Sequence, residues 1–149
     1  MSDSRVHVRL QQVQDYQFRH HYNGLDATVL GDEPLPLGQA QGPSPVQLLA
    51  SAVGNCLADS LLFALRKFKQ APDPLQCDVL AEVGRNAEGR MRVLGLQATL
   101  TLGVPAAQLA HLPRVLEQFE SFCTVTQSVG QGIAVQVVVR DSTGAVLKG

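Results

Sequence analysis

The sequence predicts a single α+β domain, residues 1–149, with antiparallel sheet wrapped around a long central helix. Three observations predict it. From Val46 to Lys69 apolar residues recur at three-four spacing, and Gly54 is the one Gly or Pro inside the run. On both sides of that run apolar and polar residues alternate, the period of half-buried strands. The resulting order, β-β-α-β-β-α-α-β, puts strands before and after the helix, which suits an α+β layer arrangement. A chain of 149 residues is the size of one domain and long enough to bury a core.

In chain order, Val6, Val8 and Leu10 alternate with Arg5, His7, Arg9 and Gln11, and Tyr16 and Phe18 resume the alternation. Asn23-Gly24 is a hairpin signal, with Asp26 to Leu30 as the return strand. Gly31 to Pro45 is rich in Pro and Gly and reads as an ordered loop. Ser44 is a suitable N-cap, and Pro45 a suitable first helical residue because its missing N–H has no helical partner anyway. Arg66, Lys67 and Lys69 complement the dipole at the far end, and Pro72 and Pro74 stop the helix. Cys77 to Gly84 alternates again, Arg85 to Arg90 turns, and Met91 to Leu102 returns. Leu109, Leu112, Val115, Leu116 and Phe119 form the apolar face of a second helix, which begins at about Pro113 after a short turn from Pro105. A short helix over Ser121 to Val129 and a strand from Ile133 to Arg140 complete the order, and the turn at Asp141 to Gly144 leads into a short tail.

Composition narrows the function. Net charge is −1 and no basic run exceeds Arg66-Lys67, which argues against a nucleic-acid or acidic-membrane partner. The first residues lack the apolar run of a signal peptide and no apolar stretch approaches transmembrane length, so a cytoplasmic location is expected. Charged residues at 17% are few for a small domain, which hints at a dimer.

Chemistry centres on the three cysteines, whose number and spacing suit neither a disulfide scaffold nor a zinc site. Cys56 lies on the apolar stripe of the long helix, and Cys123 lies among Thr124, Thr126 and Ser128. Taken singly, each is explained better by packing than by reactivity, and Cys77 more so. Asp59, three residues after Cys56, could hold an arginine near the thiol, but a solvated helix face explains it better. His20 and His21 are adjacent on a strand, so their side chains point to opposite faces and cannot chelate together.

Gly42-Pro43-Ser44-Pro45-Val46-Gln47-Leu48-Leu49, continued through Val53-Gly54-Asn55-Cys56-Leu57-Ala58, resembles the central-helix signature of the OsmC/Ohr family. These are the osmotically inducible and organic hydroperoxide resistance proteins. Phe122-Cys123-Thr124-Val125-Thr126-Gln127-Ser128-Val129, with Gly132 and a Val-rich strand behind it, resembles the family's second-cysteine segment. The resemblance implies an intertwined homodimer with long helices at its centre. It also implies a thiol peroxidase in which Cys56 attacks an organic hydroperoxide and Cys123 resolves the sulfenic acid as a disulfide. A dithiol reductant, lipoyl-linked or a small thiol, would restore both, and no metal or other cofactor is implied. The family's peroxidases carry a glutamate near the start of this helix and an arginine from the N-terminal hairpin. Here the glutamate positions hold Val46 or Gln47, and Arg5, Arg9 and Arg19 are the arginines available. The alternative is an OsmC-like dimer without efficient peroxidase activity that binds a small apolar ligand at its cleft.

Overall fold

The computed structural model describes residues 3–149, which divide into two compact units meeting between Leu48 and Leu49. The first unit holds an antiparallel sheet of β1 (Val8–Gln14), β2 (Gln17–Tyr22) and β3 (Thr28–Gly31), in that order. The Asn23-Gly24 turn forms as expected: Gly24 adopts a φ of 82°, and Asn23 accepts a bond from the backbone N–H of His7. A second turn, at Asp15, was not anticipated. Asp15, just before the alternation resumes at Tyr16 and Phe18, takes a φ of 48°, which short polar side chains tolerate, and reverses the chain. The register β1 to β2 pairs Leu10 with His20 and Arg9 with His21, so the two histidines do lie on opposite faces.

The loop from β3 to the long helix is organised by one buried carboxylate. Asp32 is 2% exposed and accepts bonds from the N–H groups of Glu33, Gln39 and Gln41 and from the Gln17 amide. Burial pushes its pKa up, but the bonds from Gln41, Glu33, Gln17 and Gln39 outweigh that and hold it below the ordinary value. Gly42 is required here because a Cβ would collide with the Leu30 carbonyl.

Helix α1 (Pro45–Lys67) begins with a reciprocal capping box. The Gln47 N–H donates to Ser44 Oγ at 3.2 Å, and the Ser44 N–H donates to Gln47 Oε1 at 2.9 Å. The helix is 23 residues long with a mean hydropathy of 1.7 in its most apolar window, which by length and composition alone would suffice to cross a membrane. That corrects the expectation that no stretch reaches such a length. Ser51, Asn55, Asp59 and Ser60 interrupt the apolar run, whereas Leu, Val and Ala keep its average high.

The second unit packs α1 against a four-stranded sheet, β4 (Gln76–Arg85), β5 (Met91–Thr101), β6 (Ala134–Arg140) and β7 (Val146–Lys148), in that order. The sheet departs from the antiparallel expectation between β5 and β6, which run parallel. The crossover that parallel pairing needs contains a 3-10 turn (Ala106–Gln108), α2 (Leu112–Gln118), a second 3-10 turn (Phe119–Phe122) and α3 (Thr124–Val129). The expected tail forms β7, because Asp141 ties the turn before it. Its carboxylate accepts bonds from the N–H groups of Ala106, Thr143 and Ala145 and from the Thr143 hydroxyl. The core joins Val53, Leu57, Leu61 and Leu65 of α1, each without exposed surface, to Leu100 of β5, Val139 of β6 and Phe119 of the crossover.

Two predictions follow from these local networks. Breaking the capping box by Ser44→Ala or Gln47→Ala should each cost about 1 kcal/mol in urea unfolding, with the double variant less than additive because the pair is reciprocal; an unchanged midpoint would contradict the role. Asp141 is lowered to about 2, chiefly by the Thr143 hydroxyl and then by the Ala106 N–H. A folded pKa below the unfolded one stabilises the fold above about pH 4, and that stabilisation is lost as pH falls through about 2. Asp141→Asn should therefore be less stable at pH 7 and lose less on acidification, while identical acid limbs in urea titrations of the two proteins would count against it.

Candidate functional site

The stripe that buries α1 also places its cysteine. Leu57 is fully buried, and Cys56, one residue earlier, sits half-buried at the margin of the same stripe. Cys123 belongs to the core, with no exposed surface. It lies between the second 3-10 turn and α3, and its backbone is held on both sides. Its N–H donates to the Glu120 carbonyl at 3.1 Å, and its carbonyl accepts from the Gln127 N–H at 2.9 Å. The turn before it is clamped by the C-terminal strand: Lys148 Nζ donates to the Leu116 carbonyl, pairs with the Glu120 carboxylate and lies 5.3 Å from the Phe119 ring centroid.

The fold brings the two thiols together. Cys56 lies near enough to Cys123 to raise its pKa, although far-separated stretches of sequence carry them. Burial pushes the Cys123 thiol up, and the neighbouring Cys56 pushes it the same way. The Thr126 hydroxyl and N–H pull it down without reversing the shift, and the charge of Cys56 adds to the rise. The net effect favours the protonated form of Cys123. Two neighbouring thiols are the chemical requirement for a disulfide.

Cys77 stands apart in character. It is half-buried on β4, and its sulfur lies beside Gly54, where a Cβ on the glycine would come within 3.4 Å. Burial, aided by the charge of Asp78, pushes its thiol up, as expected of a packing residue. Asp59 is exposed and accepts a bond from the Asn55 amide at 3.1 Å. The Gln47 amide oxygen is occupied by the capping box, Val46 is apolar, and the first turn of α1 holds no acidic residue. Arg5, Arg9 and Arg19 all belong to the first unit, and Arg19 donates to the Thr28 hydroxyl at 3.2 Å. Among the described residues no group of three His, Cys, Asp or Glu side chains could hold a metal. A groove of about 610 Å³ lies over β4, β5 and β6, lined by Leu80, Glu82, Leu94 and Ala134 among others, and no cysteine lines it.

Sequence reasoning set Thr126 beside Cys123 without its hydrogen bond to the thiol, and it missed the Lys148–Glu120 clamp. A threonine three residues beyond a cysteine at a helix start was the available signal for the first. Nothing in the sequence announced the second.

A family model described as OsmC-like protein matches residues 38–138. Solved structures share the fold. An OsmC-like protein from Mycoplasma pneumoniae superposes with a TM-score of 0.76 at 13% identity, over 94% of this chain and 99% of that one. An organic hydroperoxide resistance protein from Elizabethkingia anophelis does so at 0.75 and 11% identity, over 95% and 99%. The organic hydroperoxide resistance protein OhrB of Bacillus subtilis gives 0.67 at 11% identity, over 91% and 98%. No curated protein matches the sequence. Because the matched span takes in α1, all three cysteines and the strands that bury them, this chain belongs to the OsmC-like family.

Proposed function

We propose that the protein is a cysteine-based peroxidase that reduces organic hydroperoxides. The Cys56 thiolate attacks the distal oxygen of the hydroperoxide, the O–O bond breaks, and the alkoxide leaves to be protonated as the alcohol. Cys56 is left as a sulfenic acid. The Cys123 sulfur then attacks the Cys56 sulfur, expels hydroxide, and gives its proton to form water, leaving a Cys56–Cys123 disulfide. A dithiol reductant, lipoyl-linked or a small thiol, restores both thiols by exchange. The observation that carries this reading is the nearness of a half-exposed thiol, Cys56, to a buried one, Cys123. The family membership supports it, as do structural relatives named for organic hydroperoxide resistance. A homodimer and a cytoplasmic location belong to the same reading.

One observation favours a second reading. The start of α1 offers no carboxylate to orient an arginine toward Cys56, and Gln47 is already committed to Ser44. An OsmC-like dimer that binds a small apolar ligand without efficient turnover would need no such group.

Steady-state consumption of cumene hydroperoxide with a dithiol reductant separates the two. Cys56→Ser should lose activity by about a thousandfold or more, as removal of a nucleophile does. Cys123→Ser should oxidise once, accumulate sulfenic acid, and proceed to sulfinic acid in excess peroxide. Equal consumption by wild type and Cys56→Ser would overturn the peroxidase. A wild type that consumes nothing, and whose Cys56 titrates like a free thiol, would favour ligand binding.

A further inference from the structure

We propose that Thr126 is a positioning residue that aims the Cys123 sulfur at Cys56 and supports it as its proton leaves. The inference rests on the peroxidase reading, in which Cys123 resolves the Cys56 sulfenic acid. Its ground is geometric. The Cys123 thiol donates to Thr126 Oγ1 at 2.9 Å, and the two residues are 0% and 5% exposed, so no solvent competes for the contact. Cys123 and Thr126 are both fixed by their backbones: the Thr126 carbonyl accepts the Gly130 N–H at 2.8 Å, and the Cys123 carbonyl accepts the Gln127 N–H. With the backbone held, what remains free is rotation of the Cys123 side chain. A β-branched threonine has a stiff χ1 of its own, so its hydroxyl is a fixed partner for that rotation.

The hydroxyl suits both ends of the resolving step. While Cys123 is a thiol, Thr126 Oγ1 accepts its S–H. As the Cys123 sulfur attacks, the S–O bond of the Cys56 sulfenic acid breaks and the departing hydroxide takes the Cys123 proton as water. While the proton is leaving and before the S–S bond is complete, negative charge builds on a sulfur buried away from solvent, where an unsupported thiolate is costly. The same hydroxyl can rotate and donate to that sulfur, which favours the thiolate form. Nothing else is consumed: Cys123 is oxidised as the Cys56 sulfur is reduced from sulfenic acid to disulfide, and one water is released.

Two variants test this. Thr126→Val keeps the shape and removes the hydroxyl, whereas Thr126→Ser keeps the hydroxyl on a freer side chain. After one equivalent of cumene hydroperoxide, the rate of disulfide closure relative to sulfenic acid formation should fall about tenfold or more in Thr126→Val, so that dimedone traps more Cys56. Thr126→Ser should stay within about threefold of wild type. A second readout does not depend on the peroxide. In a Cys56→Ser background, the pH profile of Cys123 alkylation by iodoacetamide, followed by peptide mass, should move to higher pH with Thr126→Val and stay put with Thr126→Ser. Closure at the wild-type ratio, or an unmoved alkylation profile, in Thr126→Val would overturn the proposal. If hydroperoxide does not oxidise wild-type Cys56, the peroxidase reading fails by itself, and the alkylation profile alone then decides for or against Thr126 as the support of Cys123.

Discussion

Burial of the α1 stripe is the constraint on which the site depends. Val53, Leu57, Leu61 and Leu65 have no exposed surface, and burying such side chains contributes about 2 kcal/mol each before the cost of ordering the chain. Because they recur every four residues, they fix the rotation of the helix as well as its position. One residue is about 100° of helix. With Leu57 facing the core, Cys56 must fall at the margin, partly buried and partly open. Rotation by one residue would either sink Cys56 or bring Leu57 into water. The placement of the thiol is thus a consequence of packing, and the helix holds it more rigidly than a loop could.

The crossover between β5 and β6 supplies the second half. Parallel pairing of those strands obliges the chain to travel the length of the sheet outside it, and this segment carries Cys123 back against α1. Phe119 anchors the segment in the core, and Lys148 fastens its carbonyl and carboxylate groups from the last strand. The burial that fixes Cys123 also opposes its ionisation, while Thr126 works in the other direction. The balance leaves a protonated thiol beside a more accessible one, which is a useful division of labour in a two-thiol cycle. In the proposed cycle the accessible sulfur would meet the oxidant while the buried one waits, protected from it.

Much of this was legible from residues alone. The three-four spacing, Ser44, Pro45 and the closing prolines located α1, because capping chemistry and amphipathicity are local properties. The hairpin at Asn23-Gly24 was legible for the same reason. The turn at Asp15 was not, since polar–apolar alternation does not reveal a single residue in the left-handed region. Parallel pairing of β5 with β6 and the strand character of Val146–Lys148 depend on long-range contacts that no local pattern encodes. The proximity of Cys56 and Cys123 came into view only through the resemblance of their flanking segments to the OsmC/Ohr family. Gln47 is instructive in a different way. Sought as a substitute for a glutamate, it is half of a Ser-x-x-Gln capping box that was visible in the sequence.

The account stands most directly on the pairing of Cys56 with Cys123, which disulfide mapping by peptide mass can read. After treatment of the reduced protein with one equivalent of an organic hydroperoxide, the account predicts a Cys56–Cys123 disulfide within one chain, with Cys77 still a free thiol. A bridge through Cys77, or three thiols unchanged by the hydroperoxide, would contradict it.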